Sequence, residues 1–162
     1  VSFFCLNDYI ARGLYDAAAE LKMVDDFRKL AGVEGEQGSH IEIMGRQIDA
    51  VRRVPGVIWF DFRALCCGPR SQNDYLEIAR SYHTVLLSNL PKMTPHQASE
   101  ARRFTWLVDI FYDRKVKLVV TADCPPEDLY REGTMSSEFL RTVSRLTEMQ
   151  SREYLALPHI AG

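Results

Sequence analysis

The 162-residue chain lacks any apolar run approaching the ~18 residues that cross a bilayer, so no membrane span is predicted. It has four cysteines, Cys5, Cys66, Cys67 and Cys124, with no CxxC spacing. The adjacent Cys66 and Cys67 make a poor disulfide pair, and reduced thiols in a cytosolic or matrix protein are expected. There is little excess charge: a net −2 and a pI near 6.1 argue against a nucleic-acid partner. His40, His83, His96 and His159 are dispersed, with no HExxH and no Cys/His zinc spacing, so no metal ligands are assigned. A GxSxG nucleophile elbow is absent. So is GxxxxGK[ST], whose glycines let backbone amides cradle phosphates while the lysine reaches the terminal oxygens. The chain begins at Val1 without an initiator Met and shows no signal-peptide pattern, so a fragment of a longer protein is expected.

What is present is a clear alternation of strand and helix signals. His83 to Pro91 is an apolar run ending in polar residues and a proline, which reads as a buried strand. Thr94, Pro95 and Gln97 then supply an N-cap, a first-turn proline and the closing residue of a capping box. The helix predicted from there to about Arg114 carries Ala101, Phe104, Leu107, Val108 and Phe111 on one stripe. Val116 to Asp123 is a second, β-branched strand, closed by Pro125-Pro126. Strand, helix and strand with tight connections predict a parallel βαβ unit with a right-handed crossover.

The first half reads differently. Asp16 resembles an N-cap, Ala17, Leu21, Val24, Phe27 and Ala31 form a stripe, and Gly32 ends that helix. Residues 32–39 read as a loop. His40 to Arg53 alternates about Gly45-Arg46 as a β-hairpin, Pro55-Gly56 is a turn, and Val57 to Phe62 is a third strand. Ile58, Phe60 and Phe62 should share one strand face, with Trp59 and Asp61 on the other. Ser71 and Asp74 open a short helix bearing Tyr75, Ala79 and Tyr82. A last helix starts near Ser136 with Phe139, Val143, Leu146 and Met149 inside and Arg141, Arg145, Glu148 and Arg152 outside. The expected fold is mixed α/β in one domain: a helical lead-in over 1–39, an antiparallel meander over 40–65, and an α/β part over 66–162.

Several groups of residues could carry chemistry. Arg70 stands near the free amides of the helix that Ser71 caps, where it could meet an anion or a neighbouring subunit, or pair with an acid of its own chain. Asn89, Thr121 and Asp123 are polar residues at strand ends. Arg102 and Arg103 stand at the head of the helix over 95–114, where cations oppose the dipole and call for a compensating partner. Arg102 shares a side with Asp109 and should be satisfied internally, which leaves Arg103 as the better contact for something outside the chain. Asp109 and Asp113 read as a solvated face with Arg102 and Lys115 nearby.

The strings PRSQNDY, HTVLLSNLP, EARRFTWLVDIFYDRKVKLVVTAD, EDLY and SRLTEMQSREYL follow one another between about Phe60 and Tyr154. Together they resemble the C-terminal part of the ZapE/Afg-like P-loop ATPases of the AAA type, and the EMQSREYL ending is similar to the bacterial branch. The resemblance implies the C-terminal region of an ATP hydrolase that remodels protein assemblies. ATP and Mg²⁺ would be held by an upstream P-loop half, with none expected on this stretch. In bacteria it implies a cytoplasmic protein at the division ring, with the tubulin-like ring protein as partner and homo-oligomers possible. The other branch would place it in the mitochondrial matrix, and a noncatalytic protein-interaction module remains the alternative. By the same resemblance, Arg103, Arg102, Arg70, Arg141 and Arg145 are candidates for sensing nucleotide or acting in trans. The strand, helix and strand followed by Leu129 to Gly133 is similar in outline to the second half of an AAA-type core.

Overall fold

A computed structural model describes residues 24, 25, 27–29, 31, 32, 36–43, 45–122, 124 and 126–161. Asp16, Ala17, Leu21 and Asp123 lie outside them. The described strands are β1 (Glu36–Gln37), β2 (His40–Ile43), β3 (Arg46–Asp49), β4 (Arg52–Val54), β5 (Val57–Asp61), β6 (Thr84–Leu90) and β7 (Lys117–Ala122). The helices that follow the ribbon are α1 (Phe62–Cys66), α2 (Gln72–Ser81), α3 (Ala98–Asp113), α4 (Ser136–Glu148) and α5 (Arg152–Ala156). The main sheet runs β1-β4-β5-β6-β7. Its β1, β4 and β5 are antiparallel neighbours, whereas β5, β6 and β7 are parallel, as the βαβ pattern requires.

The predicted hairpin is longer than its sequence pattern. Glu36 faces Arg53, Gln37 faces Arg52, and His40 to Ile43 face Asp49 to Arg46. Between these pairs the Gly38 amide bonds the Val51 carbonyl at 3.1 Å and the Ala50 amide bonds the Ser39 carbonyl at 2.8 Å. The register is continuous from one end to the other, so this is one antiparallel ribbon. Its base joins the main sheet and its tip forms a separate two-stranded sheet. Residues 32–39, expected as a loop, therefore contain β1. Alternation alone could not show that the ribbon leaves the sheet midway.

Both faces of the parallel strands are covered, the usual condition for parallel sheets. Ile58, Phe60, Val85, Leu87 and Val120 face the larger core with residues of α1 to α5. Val57, Trp59, Leu86 and Val119 face Phe27, Val24 and Ala31 of the leading helical residues. That helix ends where expected: Gly32 has φ +81° and its amide reaches the Arg28 carbonyl at 2.8 Å. The predicted faces of β5 hold for Ile58, Phe60 and Trp59. Phe62 departs from its strand and begins α1, because Asp61 caps a helix there, its carboxylate accepting the Arg63 amide at 2.9 Å.

Both predicted capping boxes form, Ser71 with Asp74 and Thr94 with Gln97. A 3-10 turn at Pro95–Gln97 precedes α3. On α3, Phe104 stacks on Phe139 of α4, ring centres 6.2 Å apart, and the two helices join again where Thr142 donates to Thr105. The last predicted helix breaks after Glu148. Ser151 caps a new turn by accepting the Tyr154 amide, so Arg152 lies on α5 and not on the face of α4.

Candidate functional site

Parallel strands end together, and β5, β6 and β7 deliver their last residues to one edge, where α/β sheets commonly bind ligands. Asp61 ends β5. Asn89 lies near the end of β6 in a left-handed conformation, φ +66°, at an irregularity in the β6–β7 register. A non-glycine residue held there is strained, and such strain gathers at functional positions. Asn89 donates its side-chain amide to Asp61 at 2.5 Å and its backbone amide to the Thr121 hydroxyl at 3.1 Å. Behind them the buried Trp59 indole donates to Ser88 at 3.0 Å. Asn89 and Thr121, separate in the sequence, are thus brought together, and Asp61 joins them.

The arginines divide into two groups. Near the strand ends, Arg103 donates to the Cys66 carbonyl at 3.1 Å, and Arg70 donates to the Ala64 carbonyl at 2.9 Å and the Pro69 carbonyl at 3.1 Å. Among the described residues, Arg70 is therefore held by carbonyls and pairs with no acid of its own chain. At the head of α2, Asp74 accepts the Ser71 amide, and its two oxygens take bonds from Arg46 at 2.5 and 2.7 Å. Burial pushes the Cys67 thiol up, and the charges of Glu100, Arg63, Arg103 and Asp61 all bear on it. Burial likewise pushes the Cys66 thiol up, so this thiol is inert at neutral pH.

The second group lies further down α3, where Asp109 receives Arg145 and, at 3.4 Å, Arg141 from α4. From Arg103 to Asp109 is ~9 Å along the helix axis. Asp109 therefore belongs to an interhelical ion cluster, not to a solvated face with Arg102 and Lys115. Arg145 also sits over the Tyr112 ring, which stacks on Tyr154. Arg141 and Arg145 are thus engaged by their own domain.

The reading of Arg102 and Arg103 changes in two respects. The helix begins at Ala98, so both lie in its second turn, where the dipole penalty has faded. Arg103, expected to reach outward, is tied to Cys66, and Arg102, expected to be satisfied by Asp109, is exposed. The cause is the pairing of Asp109 with α4, which a helical wheel of α3 alone does not reveal.

Asp61 and Arg63 are the site residues that sequence reasoning did not single out. An acid as the last strand residue before the Phe62 to Cys66 turn is the signal that could have found Asp61. As a nucleotide or Mg²⁺ site the edge does not fit. Both Asp61 oxygens are already used, by Asn89 and by the Arg63 amide, and among the described residues no three metal-ligating side chains gather.

Comparison with known proteins decides the family. The family model for AFG1-like ATPases matches residues 9–158. The chain belongs to the AFG1-like ATPase family. It is 44% identical over 133 residues to the cell division protein ZapE of Escherichia coli K12, covering 82% of this chain and 36% of that protein. It is 34% identical over 146 residues to lactation elevated protein 1 homolog B of Danio rerio, covering 70% of this chain and 29% of that one. The chain thus spans about a third of the length of these relatives. No solved structure matches it. No described helix is long and apolar enough to cross a membrane.

Proposed function

We propose that this chain is the C-terminal region of an ATP-hydrolysing cell-division protein that remodels protein assemblies at the division ring, acting in the cytoplasm on the tubulin-like ring protein. Family membership and the likeness to ZapE support the reading. ATP and Mg²⁺ are held elsewhere in the full-length protein, in a P-loop half, since the residues here do not fit them. This region contributes shape and a cation. The observation that carries its part is the disposition of two adjacent arginines at the strand-end side of α3: Arg103 is spent on Cys66, and Arg102 is exposed. Arg102 meets an anion from outside the chain, either a nucleotide phosphate on a neighbouring subunit or an acidic patch on the partner. Arg103 positions the α1 segment beneath it.

The test is steady-state phosphate release by the full-length protein. Arg102→Ala should lower turnover at least ~10-fold with little change in melting temperature, in the manner of a trans-acting arginine. Arg103→Ala should lower the melting temperature first. Unchanged turnover in Arg102→Ala would remove Arg102 from the mechanism.

A further inference from the structure

The opposite edge of the parallel strands, where they begin, is crossed by the tail that follows α5, residues 157–161. Among the described residues, polar contacts hold it there. Lys117 donates to the Leu157 carbonyl at 2.6 Å, a His159 ring nitrogen meets the Ala79 carbonyl at 2.5 Å, and the Ile160 amide donates to the Arg114 carbonyl at 2.9 Å. A carbonyl can only accept, so Nε2 of His159 carries a proton. The tail ties together the ends of α2 and α3 and the start of β7. It buries little apolar surface: Leu157 is 41% exposed and Ile160 44%. Its attachment is polar, and none of these contacts is a bond between strands of the sheet.

His83 lies under this crossing. Its ring makes an edge contact with His159, centres 6.4 Å apart, and its Nδ1 is 2.8 Å from the Thr84 hydroxyl. It packs so closely on the 55–56 turn that a Cβ at Gly56 would lie 2.7 Å from the ring. The titratable groups that bear on it are His159 from the tail and Lys117 from β7, both cations when protonated. Gly56, Thr84 and Lys117 are fixed by the sheet. The Gly56 carbonyl accepts the His83 and Thr84 amides, and the Lys117 amide donates to the His83 carbonyl. Of the titratable groups named around the ring, His159 alone lies outside the strands and helices, on a segment held by hydrogen bonds and little apolar burial.

We propose that the tail from Leu157 to Ile160 is a proton-operated latch, docked across the starting edge of β6 and β7 while His83 is neutral and released when His83 takes a proton beside His159 and Lys117. Release uncovers the Ala79 and Arg114 carbonyls and frees Lys117, so acidification changes the surface at this end of the domain while the other end is undisturbed.

NMR of the 162-residue chain between pH 7.5 and 5 tests this, following the His83 ring signals and the exchange protection of the Ile160 and Leu86 amides. Ile160 should lose protection at least ~10-fold with the same midpoint as the His83 ring, while Leu86 in β6, which has a strand on each side, stays protected. In His83→Gln the response should vanish. His159→Gln keeps a donor for Ala79 but removes the ring that faces His83, so Ile160 should keep its protection while His83 takes its proton, and this variant decides the matter if His83→Gln folds poorly. The proposal is overturned if Ile160 stays protected while His83 titrates in the parent chain, if Leu86 is lost in the same step, or if Ile160 in His159→Gln loses its protection as in the parent chain.

Discussion

Asp74 is fully buried and anchors the ribbon to the helical layer. It accepts the Ser71 amide at 2.7 Å as part of the α2 cap and takes both bonds of Arg46 from the ribbon tip. Arg46 also reaches the Pro69 carbonyl. Removing Arg46 leaves a buried carboxylate short of its cation, so Arg46→Ala should cost about 3 kcal/mol in urea unfolding. Asp74→Ala should cost about 2 kcal/mol, mainly the lost cap, because Arg46 at 37% side-chain exposure can turn to water. The double variant should fall well short of the sum, and additivity would show that the pair is not coupled. Asp109 is a milder case. Its arginines are partly solvated, and Asp109→Asn should cost no more than about 1 kcal/mol by the same measurement. The capping roles of Ser71 and Asp74 were legible because they depend on a three-residue spacing. The partner of Asp74 lies 28 residues away and was not.

The tight turn between β4 and β5 carries its strain at Gly56. That residue has φ +85° and lies against the His83 ring. Gly56→Ala would meet both the left-handed backbone penalty and the ring, so a loss of about 2 kcal/mol or more is expected in thermal unfolding. Combining it with His83→Ala should restore only the part due to the ring. A full recovery would mean that the backbone conformation costs nothing. The ribbon teaches a related point. Its pairing was readable from alternation over 40–53, yet its passage out of the main sheet near Gly38 and Ala50 was not. Both halves of the ribbon alternate alike, and only the position of α1 and α2 decides where the tip can bury Ile41, Ile43 and Ile48.

For the domain as a whole, acid should be destabilising through His83. Its pKa is lowered, first by burial and then by His159 and Lys117. The unfolded chain therefore takes up the proton before the folded one. The contribution of the neutral ring is complete above the ordinary histidine value of about 6.5 and is lost as pH falls from there toward the lower folded value. Urea unfolding of His83→Gln should show less pH dependence across that window than the parent chain. An equal dependence would place the titration elsewhere. The 162-residue chain alone should release no phosphate from Mg-ATP, since the strand-end acid Asp61 is spent on Asn89 and Arg63. Turnover that follows the protein through purification would show a nucleotide site in it.

The sequence by itself determined the parallel unit of β6, α3 and β7, both capping boxes and the faces of Ile58, Trp59 and Phe60 on β5, because these depend on local periodicity and short-range hydrogen bonding. It also carried the family, through strings spread from Pro69 to Leu155. Tertiary structure alone decided which charges face one another. Asp109 turned from a solvated acid into the anchor of Arg145 and Arg141, and Arg103 was tied to Cys66 while Arg102 faced outward. A long side chain reaches several neighbours at little energetic difference, so its partner is selected by the packing of helices and strands distant in the chain.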